Sequence, residues 1–156
     1  MTGLEIKQLE QIALGEEGYL FEALRADDEM FEGQFGQNLV SFVKPGIRKG
    51  LHLHWDQTEY TTCLAGNILY VAVREVPGQN ELEIEKHIIG ILDRKLIKTP
   101  PGIWHGYVPL WGDTAIVLYT MDKPYDANRP DTEEIDPDHF GEDLWNSEEG
   151  VAFPFD

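Results

Sequence analysis

The segment GIRKGLHLHWDQTEYTTCLAG, residues 46–66, decides how this chain is read. Side chains alternate along an extended strand, so His52 and His54 project from one face. WDQT suits a short hairpin connection, and Glu59 then opens a second strand facing the same space until Gly66 breaks it at AGN. Far downstream, TPPGIWHGY sets His105 just after a Pro-Pro-Gly turn, a bend sharp enough to deliver a side chain into the mouth of a barrel. Three readings are open: a metal site, an acid/base site, or the polar face of a histidine-rich strand with Glu59 pairing Arg48 or Lys49. A metal set of His52, His54, Glu59 and His105 has borderline ligands that suit divalent Fe, Mn, Ni, Co or Zn, with positions left for water or substrate.

Working outward, short β-branched and aromatic runs recur at close spacing: NLVSFV, YTTCLAG, ILYVAVREV, LEIEKHIIGI and TAIVLYTM, separated by KPG, AGN, VPGQN, PPG and WGD. That rhythm predicts an all-β sandwich or barrel rather than alternating βα units. Helical propensity is confined to LEQIAL and YLFEALRAD, neither long enough to organise a fold. One domain is expected over residues 1–156, with an N-terminal arm (1–38), a core (39–121) and an acidic C-terminal segment (122–156). That last segment is proline-punctuated, but Tyr125, Phe140, Leu144 and Trp145 give it apolar anchors, and Asp136-Pro137 is a helix-start signal.

Acidic residues number 29 against 12 basic, a formal charge of -17. Such a surface repels nucleic-acid backbones and anionic membranes, so neither is expected as a partner, and any anionic ligand needs a local basic pocket. Lys44, Arg48 and Lys49 form the one basic cluster near the expected mouth. A single cysteine, Cys63, permits no intramolecular disulfide, and no stretch has the length and apolarity of a leader or membrane span. A cytoplasmic protein is expected.

Gly46, His52, His54, Glu59 and Gly66 fall on every fixed position of the first cupin motif, and Pro100, Gly102 and His105 carry part of the second. Arg94 and Pro109 stand where that second motif has glycine and asparagine. The chain thus resembles a cupin, which implies a double-stranded β-helix, a jelly-roll barrel, here with short helical turns in the C-terminal tail.

More closely, EEGYLFEALR, QNLVSFVKPGIRKGLH, TPPGIWHGY and YTMDKPYDANRPDTEEIDPD, followed by LW, resemble the dTDP-4-dehydrorhamnose 3,5-epimerase family over most of the chain. The resemblance implies that His52 removes a proton α to a 4-keto group while Tyr119 returns one from the other face, without metal. It also implies a sugar or sugar-nucleotide substrate and a homodimer exchanging N-terminal strands. In so acidic a chain the Lys44, Arg48 and Lys49 cluster is the candidate contact for the substrate's phosphate or else a strand-edge cluster, and Tyr125 either stacks on the base or sugar or packs the tail onto the barrel. The family's carbonyl-side lysine is Glu59 here, its glutamine after the catalytic histidine is His54, and a phosphate-binding arginine is Glu17. An aspartate that orients the family's base corresponds in distance to Asp156.

The substitutions that depart from the epimerase pattern are the ones that complete the metal pattern. The expected function is therefore an epimerase or isomerase of a keto sugar or a dTDP-type 4-keto-6-deoxy sugar, with a metal replacing the missing lysine. Alternatives are a metal-dependent cupin oxygenase and a non-catalytic sugar-binding cupin. One conflict is built in: a metal-ligated His52 has donated its lone pair and cannot also be the base.

Overall fold

The computed structural model describes residues 2–147. Twelve strands form in chain order: β1 (Glu5–Gln8), β2 (Ile12–Ala13), β3 (Tyr19–Leu20), β4 (Gln37–Val43), β5 (Lys49–His54), β6 (Glu59–Ala65), β7 (Asn67–Glu75), β8 (Leu82–Gly90), β9 (Lys95–Thr99), β10 (Trp104–Pro109), β11 (Ala115–Met121) and β12 (Thr132–Glu134). They pair into two antiparallel five-stranded sheets, one ordered β1-β9-β6-β11-β4 and the other β12-β5-β10-β7-β8, beside a small β2–β3 ribbon. No helix among the described residues is long and apolar enough to cross a membrane.

Between β4 and β12 the chain steps from one sheet to the other at every connection except the β7–β8 hairpin. Apart from the longer β11–β12 link over residues 122–131, each step is a short corner, and the tightest is Gly66 alone, at φ 71°, where an added Cβ would lie 2.7 Å from the Thr114 carbonyl oxygen. Only glycine tolerates that approach.

The expected jelly-roll barrel is corrected by this topology. Ladder hydrogen bonding stops at β1 and β4 in one sheet and at β12 and β8 in the other, and among the described residues no strand pairing joins the two sheets. The corners, rich in Gly and Pro, carry no ladder, so hydrogen bonding does not run around the molecule. Short strands punctuated by turns serve an open sandwich as well as a closed barrel, which is why the pattern alone did not separate them.

The inward faces bury Val43, Cys63, Ile97 and Val117 from the first sheet against Ile68, Tyr70, Ala72 and Ile89 from the second. Outside the second sheet, Leu51, Leu69, Val71 and Val73 are covered by Phe140, Leu144 and Trp145 of the acidic segment. The Trp145 indole N–H donates to the Pro137 carbonyl at 2.8 Å, so the polar atom of this anchor is satisfied. Outside the first sheet, Tyr60 and Leu96 lie under Phe21, Leu24, Met30 and Phe31 of the N-terminal arm. Arg94, standing where the cupin pattern has glycine, is buried. It donates to the carbonyls of Cys63 and Leu64 at 2.8 and 3.0 Å and to the Tyr19 hydroxyl at 2.6 Å, and its guanidinium sits 4.6 Å from the Phe21 ring centre. It thereby fastens the β2–β3 ribbon to the sandwich.

Trp145→Ala removes the anchor of the acidic segment and opens a void against the outer face of β5 and β7. It is expected to cost about 3–5 kcal/mol, read as a lowered midpoint in urea unfolding.

Candidate functional site

A cavity of about 460 Å³ lies between the sheets. Alternation along β5 settles its first wall: Leu51 and Leu53 are buried towards the outer layer, while His52 and His54 line the cavity. His105 arrives on β10, directly opposite His52 in the ladder, and Glu59 enters from β6 of the facing sheet. Glu59 Oε2 lies 3.3 Å from His54 Nε2 and 3.3 Å from His105 Nε2, and Glu59 Oε1 accepts from the Thr61 hydroxyl at 2.6 Å. His105 Nδ1 is 2.9 Å from the Ile103 carbonyl. A carbonyl only accepts, so Nδ1 carries the hydrogen and the Nε2 edge is the one presented to Glu59.

Glu59 is 4% exposed and His105 likewise 4%. Burial works to raise the Glu59 carboxyl, but the charge and hydrogen bonds of His105 and His54 overcome it and hold the group well below the usual carboxylate range. Burial works to lower His105, and Glu59 overcomes it, leaving that imidazole raised. Both shifts describe one buried acid–imidazole pair stabilised in its charged form.

The four-residue metal set contracts to three. His54, Glu59 and His105 each present one donor atom, and these atoms lie within 4.8 Å of one another. Ligands about 2.0–2.1 Å from a tetrahedral ion sit about 3.4 Å apart, which the two 3.3 Å separations match. His52 stands outside this group, with its Nδ1 3.3 Å from Glu134 Oε1. It shares the face of His54 but sits two residues further from Glu59 along β5, so its ring turns to the neighbouring strand instead. Burial, and then the positive character of His105, hold its imidazole below the ordinary value.

On the facing sheet Tyr119 lines the cavity and shares a short hydrogen bond with the Tyr107 hydroxyl. Burial pushes the Tyr107 phenol up to about 12 and Tyr119 higher still, the latter helped by Tyr107. Of the basic cluster only Lys49 reaches the cavity, where Nζ donates to the Ser41 hydroxyl at 3.1 Å. Arg48 pairs instead with Asp138, and Lys44 lies exposed on the β4–β5 corner, off the cavity wall. Tyr125 lines the mouth and is largely exposed. Asp156 lies outside the described residues. Sequence reasoning missed Thr132 and Glu134, which also line the cavity. Their signal was the alternation within TEE, hidden in a segment whose charge suggests a solvated tail.

The chain matches the profile of the dTDP-4-dehydrorhamnose 3,5-epimerase family over residues 10–143. It is 28% identical over 150 residues to the probable low-salt glycan biosynthesis epimerase Agl13 of Haloferax volcanii, covering 93% of this chain and 94% of the relative. It is 27% identical over 153 residues to the spore coat polysaccharide biosynthesis protein SpsL of Bacillus subtilis, covering 95% and 98%. In fold it is similar to the crystal structure of a dTDP sugar isomerase from Desulfovibrio desulfuricans, with a TM-score of 0.79, 24% identity and coverage of 88% and 86%.

Thr61→Val keeps the shape of a fully buried side chain and strips Glu59 of a hydroxyl donor. The expected loss is about 1–3 kcal/mol of unfolding free energy, checked by chemical denaturation.

Proposed function

The chain belongs to the dTDP-4-dehydrorhamnose 3,5-epimerase family, and from that premise we propose that it epimerises a dTDP-linked 4-keto-6-deoxy sugar by moving the proton α to the carbonyl. The observation that carries the reading is an imidazole and a phenol on opposite walls of one cavity, His52 on β5 and Tyr119 on the facing β11. Inversion at carbon needs a base on one side of the sugar and an acid on the other. The downward shift of His52 leaves its imidazole neutral at working pH, with a lone pair to accept the proton. Tyr119, pushed up by burial, holds its O–H until a carbanion or enolate develops beside it. Lys49 is the one lysine or arginine on the cavity wall among the described residues, and it serves the substrate's negative charge.

Glu59 cannot play the electrostatic part of a lysine, and its charge is taken up by His54 and His105. These three side chains fit a divalent transition metal such as Fe, Mn, Ni, Co or Zn, which when bound supplies a Lewis acid for a carbonyl or enolate oxygen. His52, outside the triad, keeps its lone pair for the proton.

The reading extends to a homodimer. Strand β4 is an edge, and Val40 and Phe42 are exposed on it beside Leu118 and Ile116, their partners in the β11 ladder. Residues 37–49 contain no acidic side chain, so in a chain of charge -17 this is a stretch where two copies approach with little repulsion.

Incubation with a dTDP-4-keto-6-deoxy sugar in D₂O should place deuterium on the carbon α to the ketone, and His52→Asn should slow this by about 10²-fold or more. No exchange by the intact protein would overturn the assignment. Elemental analysis of protein purified without a metal-affinity step should find a transition metal that is lost in Glu59→Gln. Less than about a tenth of an equivalent in the parent protein removes the metal from the reading. Phe42→Glu should shift the sedimentation coefficient from dimer to monomer.

A further inference from the structure

We infer that β12, in the acidic C-terminal segment, is the positioning strand of this site, with Glu134 fixing the tautomer and aim of His52. This rests on His52 being the base. In the β12–β5 ladder Thr132 stands opposite His54 and Glu134 opposite His52. Each reaches the Nδ1 of its partner: Thr132 Oγ1 lies 3.3 Å from His54 Nδ1, and Glu134 Oε1 3.3 Å from His52 Nδ1. The Glu134 contact is an ion-pair separation without hydrogen-bond geometry, and a carboxylate charge on that side of the ring favours the tautomer with its hydrogen on Nδ1, which leaves the Nε2 lone pair for the substrate. The same contact stabilises the imidazolium formed once the proton is taken.

The strand is held in that register from its start. The Asp131 carboxylate accepts from the backbone N–H groups of Trp55, Asp56 and Gln57 at 3.2, 2.9 and 2.9 Å. Those residues are the turn that joins His54 to Glu59, so one side chain ties the start of β12 to the connection between two members of the buried triad. Glu133, between the two positioning residues, turns to the other face and accepts from the Trp55 indole N–H at 2.5 Å. Strand alternation thus divides four consecutive polar residues into a turn clamp, two partners for cavity histidines, and one outward contact. Neither Thr132 nor Glu134 is needed to bury an apolar face, since the covering of Leu51 and Val71 comes from Phe140, Leu144 and Trp145. Their place on the cavity wall is explained by the two rings they touch.

The Glu134 side chain is 72% exposed, so water screens its charge and weakens its hold on His52. The effect is that of an outer partner of a reacting group, about 10–100-fold in kcat. The test compares Glu134→Ala, Glu133→Ala, Asp156→Asn and His52→Asn for epimerisation and deuterium incorporation with a dTDP-4-keto-6-deoxy sugar, resolving kcat from KM. Glu134→Ala should lower kcat by about 10–100-fold with KM within about twofold of the parent, because the lost interaction acts in the transition state. Added formate, a small carboxylate able to enter the exposed gap, should restore part of that rate, whereas a loss from misfolding would not respond. Glu133→Ala should match the parent enzyme. If Glu134→Ala behaves like Glu133→Ala while His52→Asn is inactive, the positioning role falls and the base stands. A loss in Asp156→Asn alone moves the role to Asp156 and overturns it too. Should His52→Asn retain full exchange, the base assignment itself is wrong and Glu134 loses its object.

Discussion

The site depends on a carboxylate that has been taken out of water. Glu59 is almost fully buried, and a lone ionised carboxylate there would carry a penalty of several kcal/mol. Three contacts offset it: the two Nε2 atoms of His54 and His105, and the Thr61 hydroxyl. The imidazoles come from the second sheet and the carboxylate from the first, so the same interaction holds the sheets together where the cavity opens between them. Losing Glu59 would leave two buried imidazole Nε2 atoms without this partner, so the carboxylate is the hub of the cluster. The positions of His52 and Tyr119, one on either side of it, follow from strands that this cluster ties together.

Two histidines on one strand face thereby acquire different partners. Ligation and proton abstraction both use an imidazole lone pair, so one ring cannot do both in one state. The structure divides them in space. His54 turns its Nε2 to Glu59, and His52 turns its Nδ1 to Glu134. In the sequence both histidines fit the metal pattern and one also fits the base; in the structure a separation of two residues along β5 gives each its own carboxylate partner. That distance carries His52 out of the reach of Glu59 while keeping it on the cavity wall.

What could be read in advance was what a short span of chain determines. The period-two rule put His52 and His54 on one face, and the corner at Pro100–Gly102 delivered His105 to them, because each needs only local geometry. Joining Glu59 to them needed the motif spacing as well, since it stands on the opposite sheet. Sheet closure was not legible, for it is decided by which edges are left unpaired across the whole molecule. The basic cluster divided for a similar reason: Lys49 is in a strand and Lys44 and Arg48 are on a corner, yet all three look alike in composition. Thr132 and Glu134 were hidden because their partners lie 78 and 82 residues away in sequence. Arg94 was read as a departure from a motif glycine, and its role became visible only once Tyr19 and Phe21 were beside it.

By charge alone a protein at -17 is a poor host for a nucleotide-linked sugar, yet the long-range field is a weak obstacle. At physiological ionic strength the screening length is about 8 Å, so charges on the far faces of the sandwich count for little at the cavity. Within that radius the balance is different from the whole-chain value. Glu59 is paired with two imidazoles, Glu134 faces His52, and among the described residues the Lys49 ammonium donates to the Ser41 hydroxyl. A neutral hydroxyl leaves most of an ammonium's charge unspent, which a carboxylate partner such as the one Arg48 has would not. For the anion recognition proposed above, what counts is which cation at the cavity lacks an acidic partner among the described residues, and that cation is Lys49.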